Sequence, residues 1–108
     1  MSAPTNNETW VIEAGDDVIQ KKARVGIAAL DPKEKLLYCL WVADYGMRNA
    51  GDLTTARDLY AAFQEEGASL SKGLSLEFTH ETFVLPKEVL ERQYFERFDR
   101  VCDEIKRA

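Results

Sequence analysis

A chain of 108 residues, 45% of them apolar and 31% charged, has the length and composition of one folded domain and excludes a disordered chain. Its net charge of −5 excludes a nonspecific nucleic-acid binder, which needs a basic footprint, and argues against adsorption to anionic membranes. A chain this long buries roughly 65% of its unfolded surface, enough for a core without staples.

Residues 1–7 read as a flexible tail, and residues 8–108 as a single helical domain. The tail has no basic n-region and no apolar h-region, so no signal peptide is expected and the cytoplasm is the expected compartment. From Glu8 the pattern is helical: Val11, Ala14, Val18, Val25 and Ala29 recur on one face, with Glu13, Asp17 and Gln20 on the other. One helix over about 8–29 follows, with Gly15 as a weak point.

Asp31-Pro32-Lys33-Glu34 is the clearest local signal. Asp31 can accept from the orphan amides of a first turn, Pro32 suits the first helical position, and Glu34 completes a capping box. The helix it opens runs to about Arg48. Its middle, Leu36 to Ala43, is apolar almost all round, which marks a central helix covered on several sides. Asn49-Ala50-Gly51 stops it. Asp52 or Thr54 caps a third helix, with Ala56, Leu59, Tyr60 and Phe63 as its apolar stripe and Gly67 as its end.

Residues 68–86 read as irregular. A short hairpin turning at Thr79-His80-Glu81 is one alternative and a short helix capped by Thr79 the other; loop plus a short helix or extended segment is preferred, because an isolated hairpin is marginal. Pro86 opens the last helix, which runs to about Lys106. Leu90, Tyr94, Phe98, Val101 and Ile105 form its stripe, and Glu88, Arg92, Glu96, Arg100 and Glu104 alternate in sign on its solvated side. The expected fold is all-α, a bundle of about four helices.

Catalytic patterns are absent. His80 is the one histidine and has no ligands at metal spacing, so neither a metal site nor a cofactor is expected, and an enzyme is disfavoured. Cys39 and Cys102 lie in apolar runs outside any CxxC motif and read as buried thiols. Asp44 falls between Leu40 and Trp41 on the crowded face of the central helix, one turn before Arg48. A buried carboxylate must be paired. Asp44, Arg48 and Asn49 therefore form either an internal ion pair, the favoured reading, or the lining of a small pocket. Lys22, on the apolar side of the first helix, is explained by snorkelling and is also placed to meet Asp44. Trp10 reads as a hydrophobic staple ahead of a partner anchor.

Acids are unevenly spread. Residues 1–20 hold Glu8, Glu13, Asp16 and Asp17 with no base, and residues 52–86 hold six acids against Arg57 and Lys72. If the two segments pack side by side, Glu13, Asp16, Asp17, Glu65 and Glu66 form one acidic face. The expectation is a noncatalytic protein-binding or regulatory module engaging a basic protein. The alternatives are an immunity- or antitoxin-like inhibitor of a toxin enzyme and a small-molecule site near Asp44. Direct binding to nucleic acid and to membranes is not expected. A homodimer would give the apolar central helix further cover.

The stretch from Leu30 to Trp41, followed by Asp44 to Leu53, resembles the signature region of a bacterial helical family whose best-known kind of member is a DNA-mimic protein. In that family a capped apolar helix leads into an Asn-Gly-Gly-Phe turn and then a helix with aromatics. Here the turn reads Asn49-Ala50-Gly51-Asp52, without the phenylalanine and with one glycine of the pair, and Tyr60 and Phe63 follow. The match spans residues 30–63, about a third of the chain. The resemblance implies an all-helical fold and an acidic surface that occupies a DNA-binding protein.

Overall fold

A computed structural model describes residues 5–108, with side chains from Asn7 onward. The part of the expected tail before Thr5 lies outside the described residues. Six α-helices follow in order: α1 (Thr5–Val25), α2 (Pro32–Ala50), α3 (Thr54–Leu59), α4 (Phe63–Gly73), α5 (Glu77–Phe83) and α6 (Lys87–Lys106), with a short 3₁₀ turn at Ile27–Ala29. Among the described residues there is no strand. The all-α class stands, but the helix number is six, not about four.

Three boundaries differ from the sequence expectation for physical reasons. Helix α1 begins at Thr5 and runs straight through Gly15. Its start is held by α6: Asn7 Nδ2 donates to Asp99 at 2.8 Å, and Lys106 Nζ donates to Asn7 Oδ1 at 2.6 Å. It ends four residues early, because Gly26 adopts φ 87°, a region that glycine enters cheaply. The expected third helix is two. Tyr60 breaks it by turning extended (φ −156°, ψ 94°).

The expected stop at Gly67 is wrong. Helix α4 continues through it to Gly73, and the missing side chain is used for packing: a Cβ there would lie 2.5 Å from Cδ1 of Phe83. The hairpin over 68–86 is also wrong; the short-helix alternative is the one that forms, over Glu77–Phe83, with Thr79 inside the helix and not at its cap. The alternation of Leu74, Leu76 and Phe78 falls across a helix join, turned by Ser75 at φ 60° and by a Leu76 N–H to Ser71 C=O bond of 2.9 Å.

Helix α2 is the axis of the bundle, packed by α1, α3, α4 and α6. Leu36, Leu37, Cys39, Leu40, Val42, Ala43 and Met47 are all buried, as its unbroken apolar run demands. Each large one contributes about 1.5–3 kcal/mol by leaving water. The capping box forms as read: Glu34 N–H donates to Asp31 at 2.8 Å, and Asp31 N–H donates to Glu34 at 2.9 Å. Lys21 of α1 donates to the same Glu34 at 2.9 Å, so the cap also fastens α1 to α2. Gly51, at φ 74°, closes the other end.

Helix α5 lacks a side-chain cap of its own and takes one from α6, whereas at the start of α3 the expected Asp52 accepts from the Thr54 N–H at 3.0 Å and α6 adds a second acceptor. Glu91 accepts from the Leu53 N–H at 2.8 Å at the start of α3. Glu104 accepts from the Phe78 and Thr79 N–H groups at 3.1 and 2.7 Å in the first turn of α5. These bonds favour the ionised carboxylates. In Glu91 they outweigh burial, and in Glu104 several together do so, holding both below the ordinary glutamate value.

Candidate interaction surface

Asp44 is buried, as its helical phase requires, and its valences are spent internally. Tyr94 donates its hydroxyl to Oδ1 at 2.7 Å, and Arg48 Nε lies 3.0 Å from both carboxylate oxygens. Arg48 extends the chain of charges to Glu8 at 3.3 Å and lies over the rings of Phe95 and Phe98 at 5.1 and 4.9 Å. Burial raises the Asp44 carboxyl above its ordinary value, while Tyr94 and Arg48 pull it back. Both carboxylate oxygens of Asp44 are engaged inside the fold. Asn49 points elsewhere, donating to the Tyr45 C=O at 2.8 Å in an exposed position. Asp44 and Arg48 are thus a packing lock between α2 and α6, and Asn49 is outside it. Lys22 meets the ring of Tyr38 at 5.3 Å, not Asp44.

The other single candidates are structural too. The thiols of Cys39 and Cys102 are buried and pushed up to about 12, chiefly by burial, so they are not nucleophiles at neutral pH. His80 Nδ1 lies 2.8 Å from the Ala68 C=O, tying α5 to α4. Trp10 packs on the core beneath the Lys106 ammonium, 5.0 Å from its ring centroid; because α1 begins at Thr5, it lies inside the helix and is not the expected staple. Among the described residues no three metal-ligating side chains converge.

The aromatic residues of α2 form one feature, a row of rings along the helix. Tyr45 stacks on Trp41 at 5.4 Å, Trp41 on Tyr38 at 6.5 Å, and Tyr38 meets Tyr60 at 5.4 Å. Tyr38, Trp41 and Tyr45 are spaced three and four apart, so one face of the helix carries all three. Tyr38 is buried, Trp41 and Tyr60 are half-buried, and Tyr45 is 42% exposed. Gly15 makes the row possible. A Cβ at that position would lie 2.8 Å from Cγ of Trp41, so α1 can approach only because the side chain is absent. Ile12, one turn before Gly15, is 54% exposed, and Leu59, next to Tyr60, is 47% exposed. The result is an aromatic strip between α1 and the α3–α4 junction, fringed by exposed aliphatic groups.

The acids fall on the two sides of this strip rather than on one face. Helices α1 and α4 each pack on α2, and the strip runs between them. Glu13, Asp16 and Asp17 are exposed on α1. Helical phase puts Asp16 with Ile12 on the edge next to Trp41, and Glu13 and Asp17 further round. Asp16 accepts from Gln20 at 2.7 Å. Among the described residues the ion pairs use Glu8, Glu34, Asp44 and Glu91, and none of these three acids. On the far side, Glu66 is half-buried beside Tyr60 and Cys39, where its charge helps burial hold both groups protonated. Glu65 is exposed and lines a separate open groove of about 660 Å³ with Arg57, Val84 and Lys87. Glu65 and Glu66 therefore do not join the α1 acids in a single face.

No protein-family model, curated protein or solved structure matches the chain. Among the described residues no helix is long and apolar enough to cross a membrane.

Proposed function

We propose that the protein is a noncatalytic binding module that engages a basic protein through the aromatic strip and the acidic edge of α1. The observation that carries this reading is the pairing of a partly exposed aromatic row with carboxylates that have no counter-ion among the described residues. Asp44 and Glu34 are consumed by the fold, whereas Glu13, Asp16 and Asp17 are not. Rings at the centre and charge at the rim are how protein interfaces divide the work. Buried aromatics supply most of the affinity, and rim charges steer the approach and select the partner.

The family resemblance sharpens the partner to a DNA-binding protein whose basic surface the acids would occupy. Three carboxylates within about one helical turn are dense enough to compete locally with a duplex carrying one charge per roughly 1.7 Å, but only over a short span. A small basic patch suits that span better than a whole DNA-binding cleft.

The test is capture of partners from native lysate, comparing the wild type with the combined variant Glu13→Gln, Asp16→Asn, Asp17→Asn at low and high salt. A basic protein held by the wild type at low salt, and released both by the variant and by high salt, supports the reading. Equal retention by both proteins would sink it.

A further inference from the structure

Away from the aromatic strip, α6 carries an arrangement that the fold does not use up. Arg97 and Arg100 lie one turn apart, and both rest on the same ring, that of Phe78, at 4.9 and 4.1 Å from its centroid. Neither is in an ion pair among the described residues, although the chain as a whole is acidic. Two cations on one small ring repel each other, and the ring face returns only part of that cost.

Arg97 is also held in place. Its Nε donates to Gln93 Oε1 at 2.8 Å, and its Nη1 donates to Thr82 Oγ1 at 3.1 Å. A guanidinium has five N–H groups, so most of the fork is still free. It lines an open groove of about 310 Å³ together with Phe78, Gln93 and Glu96. That volume is at the lower end of small-molecule sites. Glu104, the acid one turn beyond Arg100, is committed to the backbone of α5. The groove thus holds a pre-positioned, planar donor set, and Arg100, outside its lining, stands one turn away on the Phe78 ring that the groove shares.

We propose that Arg97, assisted by Arg100, binds a phosphoryl group in this groove. A guanidinium fork matches the oxygens of a phosphate, and fixing it beforehand lowers the entropy lost on binding. Arg100 adds charge from the adjoining turn. Glu96 lines the same groove and opposes the anion, which limits affinity and selects ligands that keep their charge away from it. The site belongs to a different face from the aromatic strip and does not depend on that reading.

Chemical-shift titrations of the full chain with inorganic phosphate, phenyl phosphate and phenol test it. Saturable shifts at the amides of Phe78, Arg97 and Arg100 are expected with both phosphates and not with phenol. Equal affinity for the two phosphates assigns the site to free phosphate, and tighter binding of phenyl phosphate assigns it to a phosphate monoester. Arg97→Gln should weaken binding about tenfold or more, and Arg100→Gln several-fold, as expected for charge-assisted bonds. Arg100→Gln gives up the Phe78 contact but leaves the Gln93 and Thr82 bonds in place, so Arg97 stays positioned while the second charge is removed. Glu96→Gln should tighten binding about twofold to fivefold by removing one like charge near the surface. Absence of saturable shifts with either phosphate, binding of phenol as tight as phenyl phosphate, or affinity unchanged in both arginine variants overturns the proposal.

Discussion

Asp44 and Asp16 are the same residue type on neighbouring helices, and they do opposite things. Asp44 is buried, and its two oxygens are shared by Tyr94 and Arg48. Asp16 is exposed, and its one bond is to Gln20 on its own helix. The first is a fixed part of α2–α6 packing, and the second takes no part in packing between helices. The comparison shows that the count of acids says little about function in this chain. What matters is which acids the fold has already consumed, because an acid that holds a guanidinium or a helix N-terminus is not available to a basic surface.

The sharpest break of that comparison is Asp44→Ala. It strands the Arg48 guanidinium and the buried Tyr94 hydroxyl, and should cost about 3–5 kcal/mol, a large part of what a small domain has. Urea unfolding measures it, and a loss below 1 kcal/mol would show that the lock is not structural. Next is Gly15→Ala, where the new Cβ drives into the Trp41 ring and forces α1 off α2. About 1–3 kcal/mol is expected, with a shift in tryptophan fluorescence as the strip is disturbed.

Glu104→Gln should cost about 1–2 kcal/mol near neutral pH by weakening the bonds to the Phe78 and Thr79 amides. Its pH dependence has a definite sign. The folded Glu104 carboxyl lies below its ordinary value of 4.5, so its stabilisation is present above that pH and fades as pH falls through the lower folded value. The gap between wild type and variant should therefore close in acid. Asp44 runs the other way: its carboxyl is raised above 3.8, so its ionisation costs stability as pH rises through the folded value. A gap for Glu104→Gln that widens in acid would contradict the cap. Asp31→Ala is a smaller change, about 1 kcal/mol for a lost N-cap, partly shared with the Lys21 contact to Glu34.

Legibility followed how local the cause was. The start of α2 could be read because Asp31, Pro32 and Glu34 act within four residues. The burial of Asp44 followed from helical phase alone. What could not be read depended on distant partners. Gly67 looks like a helix stop, yet it is a helix interior cleared for Phe83, sixteen positions away. Gly15 looks like a weak point, yet it is a close contact with Trp41. Segment 68–86 shows a strand-like alternation because a helix join happens to fall within it, and α5 is capped by Glu104 on another helix. The aromatic strip was half legible. Tyr38, Trp41 and Tyr45 share a face by spacing, but the opening between α1 and the α3–α4 junction that exposes them is a product of tertiary packing.

The central claim is that the α1 acids are free of the fold and serve a partner. The most direct measurement sets the stability of the Glu13→Gln, Asp16→Asn, Asp17→Asn variant beside its low-salt retention of a basic partner. Unfolding free energy within about 0.5 kcal/mol of wild type, together with loss of the partner, is the predicted result. Unchanged retention, or a loss of stability comparable to that of Asp44→Ala, would contradict it.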